Sequence, residues 1–203
     1  MSRARLTVAV LATLVLLALV TVLTGCSSAP APTVRVAPTA PAEVPASPER
    51  SVAPETDAAP AEVAVPSLGI TSSLMELGLN ADGTVEVPPA EEGMTAGWYT
   101  GGPAPGEVGA AVIIGHNDTR FGKAVFHDLK KITKGADITV TDASGETAHF
   151  TVTGTESVGK NDFPTEKVYG PTENRALRLI TCDGDFDAQG HPVNNLIVYA
   201  TLN

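Results

Sequence analysis

One residue of the chain has chemistry that no neighbour shares, a cysteine at position 182. Cys182 ends an apolar run, residues 177–181, and a polar segment with a glycine, residues 183–185, follows it. Leu and Ile ended by an Asp/Gly cluster are typical of a buried strand that leads into a loop. A side chain at such a strand end is held by the sheet and open to solvent, so we interpret Cys182 as a nucleophile. The alternative is a small core residue, which free cysteines often are.

A cysteine nucleophile needs a partner that stabilises the thiolate, because an ordinary thiol, with a pKa of about 8.5, is mostly protonated at neutral pH. Histidine can do this and can then protonate a leaving amine. The candidates are His116, His127, His149 and His191. Only His116 repeats the placement of Cys182, since it follows Gly115 at the end of an apolar strand, residues 110–114. His127 and His149 fit structural or exposed roles better, and His191 lies in a glycine-flanked loop. No second-ligand pattern accompanies His116, so we expect no metal and no cofactor.

Short alternating or apolar segments recur throughout residues 63–203, the part that must position these side chains. They predict seven or eight short strands with little helix, which indicates an all-β barrel or sandwich. Asp82-Gly83 predicts a hairpin turn, residues 126–132 a short helical turn, and residues 166–171 a loop before the cysteine strand.

The N-terminal segment, residues 1–26, predicts export. Two arginines precede an uncharged apolar run over residues 6–23, which lies between a secretory signal and a membrane-spanning helix in length. Leu23-Thr24-Gly25-Cys26 resembles the lipobox of bacterial lipoproteins and implies lipidation of Cys26. The alternative is an uncleaved anchor helix. Either interpretation places the protein outside the cytoplasm, on the membrane and facing the cell wall.

Composition separates a linker from the domain. Residues 27–62 contain eight prolines and no hydrophobic period, so we expect a disordered, partly extended spacer of about 3.1 Å per residue. Residues 63–203 hold nine Lys or Arg against 18 Asp or Glu, without a basic patch, which argues against nucleic-acid binding. With Cys26 lipidated, Cys182 would have no intramolecular disulfide partner, since the chain has only these two cysteines.

Several motifs together resemble the sortase family. They are residues 112–118 around Gly115-His116, residues 124–129 with 134–138, residues 177–182 ending in Thr181-Cys182, and residues 195–200. Gly97-Trp98-Tyr99, Pro105-Gly106-Glu107 and Phe163-Pro164-Thr165 resemble the class F group of actinobacteria, with class E as the near alternative. The resemblance covers the whole domain. Each motif alone is weak, but their order and separation form a specific combination.

The resemblance implies an eight-stranded β-barrel and a cysteine transpeptidase. Its substrates would be exported proteins with a sorting signal of the Leu-Pro-x-Thr-Gly type. Cys182 would attack the Thr-Gly carbonyl to give a thioacyl enzyme, and His116 would protonate the departing amine. An amine of peptidoglycan or of a pilin would then resolve the intermediate.

One departure from the family concerns the arginine that sortases carry on the strand after the cysteine. No Lys or Arg follows Cys182 in this chain, and one oxyanion donor is commonly worth about 3 kcal/mol. Candidate substitutes are Arg120 in the His116 loop, Asn195 as a neutral donor, and Arg178, four residues and about 13 Å before Cys182 along the strand. The missing arginine implies that activity can be reduced. It also favours an alternative function, an impaired sortase-fold lipoprotein that binds sorting signals or wall peptides without turnover.

Overall fold

Eight strands close into a barrel in the computed structural model, which describes residues 58–186, 188 and 192–203. The strands are β1 (Pro60–Val65), β2 (Ile70–Leu77), β3 (Ala96–Tyr99), β4 (Gly109–Ile114), β7 (Asp137–Asp142), β8 (Thr147–Gly159), β9 (Arg175–Phe186) and β10 (Pro192–Leu202). Their order around the barrel is β1-β2-β3-β4-β9-β10-β8-β7. The β2–β3 and β4–β9 pairs are parallel, and the other pairs are antiparallel. The predicted all-β, eight-stranded barrel is confirmed.

The remaining elements are small. Strands β5 (Asp118–Thr119) and β6 (Gly122–Lys123) form a separate two-stranded hairpin, and α1 (Thr165–Tyr169) is a single α-helical turn. Short 3₁₀ turns occur at Pro66–Leu68, Ala90–Glu92, Leu129–Lys131 and Lys160–Asp162. The predicted helical turn near residue 129 is therefore present.

The side chains of the central strands alternate between two apolar clusters because successive strand residues point to opposite faces. The cluster inside the barrel includes Ala111, Ile113, Leu177, Leu179, Leu196 and Val198. The second cluster covers the outer face of β4, β9 and β10, with Val112, Ile114, Ile180 and Ile197 packed beneath Val168 of α1. Burying one such side chain contributes roughly 1.5–3 kcal/mol. The outer face of these strands is therefore a second, smaller core.

Three local expectations differ from the structure. Strand β9 does not end at the cysteine but continues to Phe186, because β10 extends alongside it and pairs across a register shift. The segment expected to be a loop before β9 contains α1, whose Val168 is fully buried on the outer face. The Asp82-Gly83 hairpin is reduced to one bridge, between Leu79 and Val85, since Pro88 and Pro89 follow at once and a proline cannot donate a ladder hydrogen bond.

The predicted start of the domain, residue 63, lies within strand β1. Strand β1 begins at Pro60, ahead of the expected domain start at residue 63, because Pro60 and Glu62 already pair with β7. Residues 1–57, with the signal segment, Cys26 and most of the linker, lie outside the described residues, as does His191. Within the described part of the chain, no helix is long and apolar enough to cross a membrane.

Candidate active site

Cys182 lies inside the sheet, on β9 between β4 and β10. Ile180, two residues earlier, belongs to the outer apolar cluster, whereas Leu179 faces the barrel interior. By the same alternation Cys182 belongs to the outer face, where it is half-buried and free of any disulfide. The Cys182 backbone is thus held by its pairing with β10, and the half-buried residue stays partly accessible from outside the barrel.

His116 follows β4, the parallel neighbour of β9. The ladder pairs Ile114 with Ile180, and the Gly115 N–H donates to the Ile180 carbonyl at 3.0 Å. His116 lies two residues beyond this last ladder pair along the chain that leaves β4, and Cys182 lies two residues beyond it along β9. Both residues therefore follow the same end of the β4–β9 ladder, and the pairing of thiol and imidazole stays a prediction.

Asn195 occupies the equivalent position on the other neighbour of β9. Strand β10 pairs Asn195 directly with Cys182, and Ile197, two residues on, lies in the outer cluster. Asn195 is half-buried. We call three residues the catalytic row, because they are predicted to act in catalysis: Asn195 and Cys182, which pair across β10 and β9, and His116, which follows the end of β4.

The segment 88–93 holds the His116 loop at three points. His116 Nε2–H donates to the Pro88 carbonyl at 2.6 Å, Arg120 pairs with Glu91, and the Val125 N–H donates to the Gly93 carbonyl at 2.9 Å. A carbonyl only accepts, so Nε2 carries the proton and Nδ1 is the acceptor in the neutral ring. Nδ1 is then the ring nitrogen that the Pro88 contact leaves unused. Sequence reasoning missed Pro88, because a backbone carbonyl has no signature in a sequence.

Two glycines fix the backbone beside the catalytic row. A Cβ on Gly115 would lie 2.6 Å from the Phe126 ring, and the Phe126 N–H donates to the His116 carbonyl at 2.9 Å. Gly184 adopts a φ of 81°, and its Cβ would lie 2.8 Å from the Asn194 side chain. Neither position accommodates a larger residue without movement of the chain that carries His116 or Cys182.

Arg120 lies at the tip of the β5–β6 hairpin, in the loop that follows His116. Its guanidinium pairs with Glu91 and stacks on Phe121, 4.7 Å from the ring centroid. The side chain is 67% exposed. Its contacts therefore bind the loop to segment 88–93.

Arg178 lies on the outer face of β9, as its parity with Cys182 predicts, but its guanidinium is directed toward β10. It stacks on Tyr199 at 4.9 Å from the ring centroid, and Nη1 donates to the Leu177 carbonyl at 3.1 Å. It lines a cavity of about 470 Å³ that includes neither Cys182 nor His116. Of the three candidate substitutes, Asn195 alone pairs directly with Cys182.

The other described histidines have acidic partners away from the row. His127 Nδ1–H donates to Asp118 at 2.9 Å, and His149 lies 3.2 Å from Asp137. Within residues 58–186, 188 and 192–203, no three His, Cys, Asp or Glu side chains group as a metal site requires.

Helix α1 covers the apolar surface next to the row. Tyr169 packs edge-on against Tyr99, at 5.8 Å between ring centroids, and lies 6.1 Å from Phe163. Burial, with a smaller effect of Tyr99, raises the pKa of Tyr169 to about 12. The phenol is thus neutral at physiological pH, and this region presents aromatic and aliphatic surface.

The structure defines a fold class, a closed mixed β-barrel with a cysteine on β9 and a histidine just after the parallel neighbour β4. The sortase domain model matches residues 63–203, and the chain belongs to the sortase family. Membership implies a cysteine transpeptidase.

Solved sortase structures share the fold. Sortase A from Corynebacterium diphtheriae matches with a TM-score of 0.56 and 22% identity, covering 71% of this chain and 60% of that chain. Sortase C-1 from Actinomyces oris matches with a TM-score of 0.56 and 20% identity, covering 70% of this chain and 73% of that chain. The SrtA sortase from Actinomyces oris matches with a TM-score of 0.54 and 26% identity, covering 71% of this chain and 79% of that chain. A comparison with curated proteins finds no match.

Proposed function

We propose that this chain is an extracytoplasmic transpeptidase that cleaves a Leu-Pro-x-Thr-Gly-type sorting signal between Thr and Gly. It then joins the substrate protein that carried the signal to a cell-wall amine. The observation that carries this proposal is the catalytic row, in a chain that belongs to the sortase family. The half-buried aromatic side chains that pack on the outer apolar cluster, Tyr99, Phe163 and Tyr169, support it, because a Leu-Pro segment needs apolar contacts. The aromatic motif at Trp98-Tyr99 favours the class F-like group, with class E as the alternative.

The reaction proceeds in two balanced steps. The Cys182 thiolate attacks the Thr carbonyl carbon, the Thr–Gly C–N bond breaks, and protonated His116 gives its proton to the departing glycine amine. An amine of peptidoglycan or of a pilin then attacks the thioester and gives up a proton to His116, and the thiolate leaves. Water in place of the amine gives hydrolysis.

We assign the oxyanion contact to Asn195, through its side-chain amide. Its pairing with Cys182 across β9 and β10 supports this assignment, and a neutral amide is a known type of oxyanion donor. Arg120 and Arg178 stay predictions, with weaker support because their guanidinium groups contact Glu91 and Tyr199. The predicted signal segment, Cys26 lipidation and linker are kept as proposals for attachment to the outer face of the membrane.

The deciding experiment is mass spectrometry of the full-length chain mixed with a Leu-Pro-x-Thr-Gly peptide and an amine acceptor. We expect a thioacyl adduct that is absent in Cys182→Ala, and an amide product that depends on the acceptor. His116→Ala should lower kcat/KM by about 10²–10⁴-fold. Peptide binding with neither adduct nor cleavage would contradict the proposal.

That last outcome would support a second function, binding of sorting signals or wall peptides without turnover. The specific observation in its favour is the absence of Lys and Arg after Cys182. The same experiment separates the two functions, because a pure binder gives the same peptide affinity in the wild type and in Cys182→Ala.

A further inference from the structure

The polar cavity beside Arg178 lies on the outer surface of β8, β9 and β10. Its volume is about 470 Å³, and its lining includes Arg178, Tyr199, Glu156, Lys167, Thr155 and Thr172. The row residues Cys182 and His116 are not part of this lining. Of these side chains, the reaction proposed above retains only Arg178, as a weaker candidate for substrate contact.

The charge of Arg178 is the unusual feature of this cavity. Its Nε is buried without a hydrogen-bond partner, and no carboxylate within the described part of the chain forms an ion pair with it. Burial lowers the pKa of Arg178, although arginine stays charged at neutral pH. Arg178 is half-buried and contacts only neutral groups, the Leu177 carbonyl and the Tyr199 ring. Partial burial of a charge without an opposite charge beside it is costly, so a ligand that supplies the anion would remove a penalty.

The other charges of the cavity already satisfy one another. Lys167 Nζ donates to Glu156 at 2.5 Å, and the Tyr199 hydroxyl donates to the same carboxylate oxygen at 2.9 Å. Lys167 also stacks on the Tyr199 ring, 4.5 Å from its centroid. Lys167 lowers the pKa of Glu156 more than Tyr199 does, so Glu156 stays ionised. One positive charge, that of Arg178, is left over.

We propose that this cavity binds a carboxylate group, which pairs with the Arg178 guanidinium. A single negative charge matches the net charge of the three ionised side chains, whereas a phosphate dianion would leave an excess. Arginine suits the task because its planar donors match the two carboxylate oxygens. The Thr172 hydroxyl adds a neutral hydrogen-bonding group, and Thr155 also lines the cavity. This site is separate from thioester chemistry and does not depend on the proposed function.

The test is an NMR titration of the full-length chain at constant ionic strength, with chloride as the reference anion. Acetate should produce saturable shifts of the Thr155 and Thr172 amides and of the Arg178 Nε–H, and inorganic phosphate should bind several-fold more weakly. N-acetylglycine and the α-amide of N-acetylglutamate then distinguish a terminal carboxylate from an acidic side chain as the source. Stronger binding of phosphate than of acetate, or equal shifts with acetate and chloride, would overturn the proposal. This outcome can be read from the wild-type protein without any substitution.

Substitutions localise the site. Arg178→Gln should weaken acetate binding by at least about tenfold, a loss of about 1.4 kcal/mol. The matched control is Arg175→Gln, because Arg175 lies on the same strand but is exposed and donates to the Gly106 carbonyl. Equal weakening in both variants would show a general charge effect and overturn the assignment.

Discussion

Asn195 is the residue that we propose as the substitute for the missing arginine, because the β9–β10 register pairs it with Cys182. We expect Asn195→Ala to lower kcat/KM by about 10–10³-fold with little change in stability, since one preorganised oxyanion donor is lost. The measurement is steady-state kinetics with the sorting peptide.

Asn194→Ala is the control for this substitution, because Asn194 pairs with Asp183 and alternates to the opposite face of β10. The kcat/KM of Asn194→Ala should stay within about threefold of the wild-type value. If the two variants lose equal activity, Asn195 acts through the strand and not through its amide.

The loop that carries His116 depends on the contact between Gly115 and Phe126. Gly115→Ala places a Cβ 2.6 Å from the ring of a fully buried residue, so we expect a loss of about 1–3 kcal/mol in the free energy of unfolding. Urea denaturation measures it. Activity should fall as well, because His116 is the next residue.

Gly154→Ala is the matched control, since a Cβ at Gly154 meets nothing within 4 Å. Because alanine has less backbone freedom than glycine in the unfolded chain, this variant should be as stable as the wild type or more stable by roughly 0.5–1 kcal/mol. A similar destabilisation in both variants would mean that crowding at Phe126 is not the cause.

The turn between β7 and β8 is stabilised by the Asp142 carboxylate. The Ser144 hydroxyl, which contributes most, and the backbone N–H groups of residues 144–146 hold the pKa of Asp142 below its usual value. A depressed folded-state pKa stabilises the protein above the unfolded pKa of about 3.9, and this stabilisation is lost as the pH falls through the folded value.

Asp142→Asn should therefore be less stable than the wild type at pH 7, and the difference should shrink below about pH 4. Urea denaturation across this range measures it, with Ser144→Ala expected to reduce the pH dependence in part. A difference that is the same at pH 7 and pH 3 would contradict the role of the charged carboxylate.

At the scale of the whole molecule, β1 closes the barrel between β2 and β7. Val63 is fully buried, whereas the neighbouring Glu62 is exposed. Val63→Thr keeps the shape but buries a hydroxyl among apolar side chains, so we expect a loss of about 1–3 kcal/mol in the free energy of unfolding.

The corresponding surface change, Glu62→Gln, should shift the free energy of unfolding by less than about 0.5 kcal/mol. Thermal or urea unfolding of the two variants compares them directly. An unchanged free energy of unfolding in Val63→Thr would indicate that the barrel tolerates a buried hydroxyl at this position of β1.

Much of the fold could be read from the sequence, because apolar runs and period-two alternation report local burial. The strand ahead of Cys182 and the strand ahead of His116 are examples. Long-range pairing was beyond that reasoning: the parallel register that pairs Ile114, two residues before His116, with Ile180, two residues before Cys182, depends on a crossover between β4 and β9. The Pro88 contact and the direction of the Arg178 side chain depend on packing between distant segments.

The continuation of β9 beyond Cys182 has a consequence for hydrogen exchange. Ladder pairing continues on both sides of the cysteine, at Thr181 with Leu196 and at Asp183 with Asn194. The Cys182 backbone therefore opens only when two strands separate, which requires sub-global unfolding. Alkylation of the native thiol should accordingly report surface access, while exchange of nearby amides reports the cooperative opening of the sheet.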